Sequence, residues 1–143
     1  MKLIDLFPQF YRVLTDRRVG RFIKTGADPL NYTEADIEER EYDQIILEPV
    51  DSITDADGIR FTDPVWAKDH PGVDGYDFGK SVHVGFAGRK TWGMQDTSGK
   101  PVAWGFSGTG YSDLTITPSI FVMPHANPPG WHGFVTSGEV TTV

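Results

Sequence analysis

The sequence predicts a mainly β protein: a small antiparallel β-sandwich or rolled sheet with one or two short helices. Three observations predict it. Gly and Pro supply 16 and 10 of the 143 residues, well above the roughly 12% of an average chain, which signals many turns. Apolar residues are lean at 38% while aromatics are rich at 13%, so large rings must fill the core. Short aromatic and β-branched runs alternate with polar positions, notably "SVHVGFAG" and "GWHGFVT", which is the period of a strand with one buried face.

Taken in order, "LIDLF" is too short to assign and Pro8 interrupts it. "FYRVLT" and "RFIKT" flank the polar Asp16–Gly20 and read as a hairpin. "TEADIEER" reads as a short helix, with Thr33 as its N-cap and acids in its first turn. "QIILEPV" is a strand ended by Pro49, and "DSITDADG" a single helical turn closed by Gly58. "IRF" is a short strand, and Thr62–Lys80 is mostly loop. "SVHVGFAG" places Val82, Val84 and Phe86 on one face and Ser81, His83 and Gly85 on the other. "WGMQDTSGKP" holds a Ser-Gly turn. "VAWGFSG" follows as a strand with Val102, Trp104 and Phe106 on one side. "LTITPSIFVM" carries Pro118 in its middle, which predicts an edge strand or a bulge. "GWHGFVT" and "EVTTV" form a hairpin across Ser137-Gly138. The length suits one domain, 1–143, with an N-terminal hairpin and short helix over 1–49 and a β core over 50–143.

Composition narrows the function classes. A net charge of −7 repels nucleic acid, since binding it needs clustered cations. The one dense basic stretch, "DRRVGRFIK", reads as a solvated hairpin. No cysteine is present, so disulfides, thiolate metal sites and a Cys nucleophile are excluded. No segment approaches the roughly 18 apolar residues of a membrane span, and the start lacks a signal peptide's apolar run. The expectation is a protein with neither membrane nor nucleic-acid partners.

The candidate chemistry is thin. His83, His125 and His132 are a conditional metal or ligand site, with Asp63 or Asp69 as a carboxylate ligand, but His125 and His132 stand seven apart and fit no zinc spacing. His70 completes the four histidines. Asp55-x-Asp57-Gly58 is a fragment of a calcium loop whose first and twelfth positions would be Ile53 and Pro64, neither a fitting ligand. Ser107 lacks the symmetric glycines of G-x-S-x-G and the helix of a nucleophile elbow. No loop has the Lys-Ser/Thr pair of a phosphate cradle. No catalytic residue and no cofactor is therefore assigned. Aromatics in loops, Trp66, Tyr76, Phe78 and Trp92, are the candidate interface anchors. Trp131 and His132 face opposite sides of their strand, one toward the core and one toward a rim.

In order, "ITDADGIRF", Ser81-Val82, "WGFSGTGYSDLTITPSI" and "GWHGFVTSGEV" resemble a family of small phage-encoded proteins of unknown function, some labelled ammonia-monooxygenase-like. The resemblance covers roughly residues 50 to 143. It implies a Cys/His zinc site whose ligand positions here hold Asp63, Trp66, Lys80 and Pro129, so this chain resembles a member that keeps the scaffold and has lost the metal, with Trp66 filling the vacated space. The expectation that follows is a non-enzymatic phage accessory protein acting by protein contact, virion-associated as a capsid-decorating or head–tail component. Its partners would be other phage structural proteins or a host protein, its assembly homo-oligomeric, and its location the host cytoplasm or the virion. Two alternatives stand beside it. One is an inhibitor of a host defence system or a sponge for its nucleotide signal. The other is a metal-dependent enzyme using His83, His125 and His132.

Overall fold

The computed structural model describes residues 1–77, 79–91, 98–100, 102–124 and 126–143. Strand β1 spans Gln9–Ile23, β2 Ile37–Val50, β3 Gly58–Thr62, β4 Ser81–Gly85, β5 Gly105–Ser107, β6 Thr115–Val122, β7 Trp131–Thr136 and β8 Glu139–Thr142; helix α1 spans Pro64–Asp69. These strands form two antiparallel four-stranded sheets, in the orders β2-β1-β3-β4 and β5-β6-β7-β8. The mainly β reading of the sequence holds.

The chain divides into two compact units, Met1–Val13 with Leu47–Val143, and Leu14–Ile46. In the first unit the inner faces of both sheets meet in one core. Phe10, Ile59, Phe61, Val82 and Val84 come from one sheet, with Phe86 just beyond β4, and Ile116, Ile120, Trp131, Val135 and Val140 from the other. Rings join the layers. Phe61 meets Trp131 edge-on at 6.0 Å, and Phe86 stacks on Phe106 at 4.1 Å. Phe10 stacks on Tyr111 at 4.4 Å, and the Tyr111 hydroxyl accepts the Phe10 N–H at 3.0 Å. Aromatic area thus compensates for the lean aliphatic content. The N-terminal segment is tied to the β7–β8 turn, Leu3 N–H donating to the Gly138 carbonyl and Val140 N–H to that of Met1.

The second unit is a different object. Two strand segments, Leu14–Ile23 and Ile37–Ile46, are joined by a loop, and no side chain in the unit is buried. What orders it is side-chain pairing across the strands. Arg17 pairs with Glu41 at 3.5 Å and with Asp43 at 3.1 Å, and Arg21 pairs with Glu34. On the opposite face Phe22 meets Tyr42 edge-on at 5.5 Å, with the Arg40 guanidinium 4.2 Å above the Phe22 ring.

Several local expectations change. The hairpin expected across Asp16–Gly20 is one continuous strand. Gly20 is not a turn residue; a β-carbon there would come within 2.9 Å of the Phe22 and Tyr42 rings, so its small size admits the aromatic pair. The helix expected from Thr33 is a single 3-10 turn, Glu34–Asp36, after which β2 begins at Ile37. Asp36 accepts the Thr33 N–H at 2.9 Å, so the cap is present, but β-branched and cross-strand pairing take over at once. Gly58 is a strand residue beneath the Tyr11 ring, not a helix cap. Within the expected loop Thr62–Lys80 lies α1. Asp63 caps it, accepting the Val65 N–H at 2.8 Å, and Pro64 opens it, the arrangement that suits a helix start. Strand β6 is internal, between β5 and β7, and Pro118 sits where the β6–β7 register shifts between Ile116 and Ile120, so the bulge is the correct alternative. The Ser137-Gly138 turn forms as expected, both residues at positive φ, 49° and 78°, the conformation a two-residue hairpin needs.

Candidate functional site

The first place where candidate residues meet is the node between α1, the start of β4 and the turn before β7. Asp63 is buried at the α1 N-terminus, where one carboxylate oxygen receives the helix N–H groups and the other accepts from the Asn127 amide at 3.1 Å. The same amide nitrogen donates to the Ser81 carbonyl at 2.7 Å. Asp63 N–H donates to the Lys80 carbonyl at 2.9 Å, and Gly75 N–H to the buried Thr62 hydroxyl at 3.0 Å. Trp66 stacks on His70 at 4.0 Å, nearly parallel, with the Lys80 ammonium 5.8 Å from its ring. Asp63, Trp66 and Lys80 thus meet here as a carboxylate capping a helix, a half-buried indole and an ammonium, with Asn127 closing the polar part. Buried polar groups held this way fix geometry. Aromatic packing does not organise this loop by itself, because the Asp63–Asn127–Ser81 chain shares the task.

A cleft of about 250 Å³ opens beside β3 and β4, lined by Gln9, Tyr11, Leu47, Pro49, Arg60 and His83. Arg60 makes two contacts to Asp74, at 3.0 and 3.4 Å. His83 lies 6.3 Å from the Tyr11 ring. Burial, reinforced by the Arg60 charge, pushes its pKa down to about 4, so it is neutral at pH 7. A neutral imidazole is a competent ligand in principle, but the adjacent guanidinium opposes a cation.

His132 belongs to the other sheet. Its Nε2 lies 3.0 Å from the Ser119 hydroxyl, and its ring stands edge-on to Phe121 at 5.5 Å and 6.4 Å from Phe134. Trp131 turns inward and is buried, as the alternation predicts, and Gly133 leaves room for its ring. His83 and His132 thus have separate surroundings on separate sheets. Among the described residues no group of three His, Cys, Asp or Glu is placed to hold a metal; His125 lies outside the described residues.

Of the interface candidates, Trp66 is half-buried in the node and Tyr76 is 67% exposed in the loop after α1. Phe78 and Trp92 lie outside the described residues. Sequence reasoning passed over the Leu14–Ile46 unit as a contact element. Its signal was there to read: an arginine-rich strand segment and an acid-rich one, with apolar residues too sparse to build a core. The loop joining them holds Leu30, 95% exposed, and Tyr32. Asn127 was also missed, its only signal being a polar residue placed before Pro128-Pro129.

No helix among the described residues is long and apolar enough to cross a membrane. Comparison of the chain with protein-family models, curated proteins and solved structures finds no match.

Proposed function

We propose that this chain is a non-enzymatic phage accessory protein that works by protein contact, as a capsid-decorating or head–tail component of the particle. The observation that carries the contact reading is the Leu14–Ile46 unit, regular β structure without a buried side chain. An isolated two-stranded ribbon is marginal in water because it cannot bury a face. A chain that keeps one gains stability for it from a partner surface. Asp63, Arg60 and Asp113 each satisfy a neighbour within the fold, which supports the same reading. The phage setting rests on the resemblance of residues 50–143.

Mass spectrometry of purified particles tests the proposal. The chain is expected at a fixed copy number per particle, and its absence from the particle refutes the virion assignment. A host protein captured stoichiometrically from infected cells would favour the inhibitor reading instead, for which the acidic β2 segment supplies the charge.

A further inference from the structure

The ribbon is charge-segregated. Over Leu14–Ile23, three arginines stand against one aspartate, a net charge of +2; over Ile37–Ile46, four acids stand against one arginine, a net charge of −3. Both outer edges are open among the described residues. β2 is the outermost strand of its sheet, and β1 pairs with β3 only over Gln9–Tyr11. That ladder is closed off where the Asp57 carboxylate accepts the Val13 N–H at 2.8 Å, so among the described residues no strand pairs with the outer edge of the basic segment beyond it.

We propose that the partner of this ribbon is a second copy of the chain, joined head to tail, with the basic β1 edge of one copy pairing with the acidic β2 edge of the next. This deepens the contact reading of the ribbon and rests on it. The charge pattern selects the mode. Pairing β2 with β2 sets Glu38, Glu39 and Glu41 among the acids of the other copy, and pairing β1 with β1 does the same for the arginines Arg17, Arg18 and Arg21. Both like-charged pairings are penalised, and only the unlike pairing is favoured. An unlike pairing uses two different surfaces, so each copy retains one open edge, and the assembly grows past the dimer, to a ring if the rotation closes and to a filament if it does not. The existing ion pairs do not block it. Arg17, Glu41, Asp43, Arg21 and Glu34 are all largely exposed, where such pairs are worth little and exchange partners easily. Glu38, Glu39 and Lys24 have no ion-pair partner among the described residues.

Sedimentation of the full chain, read against concentration and salt, tests this. The expected result is reversible association beyond the dimer that weakens about tenfold or more between roughly 50 mM and 500 mM salt, as screened surface charges require. Two variants sharpen it. Arg17→Glu with Arg18→Glu and Arg21→Glu makes both strands acidic; Glu38→Lys with Glu39→Lys and Glu41→Lys makes both basic. Each alone should be monomeric, and a mixture of the two should assemble. None of these side chains is in the core, and amide exchange across Leu14–Ile23 and Ile37–Ile46 verifies that each variant keeps the ribbon. A wild-type chain that stays monomeric at low salt overturns the proposal, as does a salt-insensitive dimer that survives both charge reversals. Either result leaves presence in the particle untouched, so the two readings fail separately.

Discussion

The two units of this chain are both antiparallel β structure, yet they are held by different physics. In the sandwich unit two faces close over Phe10, Phe61, Phe86 and Trp131, and removal of apolar area from water is the main stabilising term. In the ribbon unit nothing is removed from water to that degree, and order comes from cross-strand pairs such as Phe22 with Tyr42 and Arg17 with Asp43, each worth well under a kilocalorie to about one. Strand geometry is thus no guide to stability, and the same secondary structure serves as scaffold in one place and as an available surface in the other.

The contrast is broken most easily in the core. Phe61→Ala removes a fully buried ring that packs on Trp131, and the expected loss is about 3–5 kcal/mol in denaturant unfolding. A loss below about 1 kcal/mol would mean that the sandwich is not the stable unit.

Acid comes next. His83 has a folded pKa of about 4 against an ordinary 6.5, so between those values the unfolded chain binds the extra proton. Stability therefore rises with pH through that window and is lost as pH falls through it, by about 3 kcal/mol in all. His83→Gln should flatten the dependence between pH 4 and 6.5, which urea unfolding at a series of pH values measures. An unchanged slope would assign the acid sensitivity to other groups.

Asn127→Ala leaves the Asp63 carboxylate and the Ser81 carbonyl each short of a donor and should cost about 1–3 kcal/mol. Asn127→Asp, which places a second carboxylate 3.1 Å from Asp63 where the amide nitrogen stood, should cost more than alanine. Thermal melting ranks the two, and the reverse order would show that the amide's bulk, not its N–H groups, is what the node requires.

The smallest effect belongs to the ribbon. Phe22→Ala should change global stability by less than about 1 kcal/mol while speeding amide exchange across Leu14–Ile23. Amides of β6 and β7 should stay protected in the same sample. If Phe22→Ala lowers the global melting temperature as far as Phe61→Ala does, the ribbon belongs to the cooperative core and the comparison fails.

Alternation was enough to put Val82, Val84 and Phe86 on one face and Trp131 opposite His132, and Ser137-Gly138 named its own turn, because both depend on residues adjacent in sequence. The helical start at Asp63-Pro64 was also legible, although the Gly- and Pro-rich composition of Thr62–Lys80 hid it. The reach of β1 was not. Arg17, Arg18 and Gly20 look like a turn until strand β2 supplies Glu41, Asp43 and Tyr42 opposite them. The node was half legible. Asp63 and Trp66 could be singled out along the chain, but Asn127, 64 positions from Asp63, could not be joined to them.

By itself, then, the sequence determined the β class, the inward faces of the C-terminal strands and the absence of thiol chemistry, since each follows from local pattern or composition. Only the tertiary structure decided which strands pair, where the buried polar groups find partners and which β segment is left without a core. Those depend on long-range encounters, and a two-residue period says which face a side chain takes but not what will cover it.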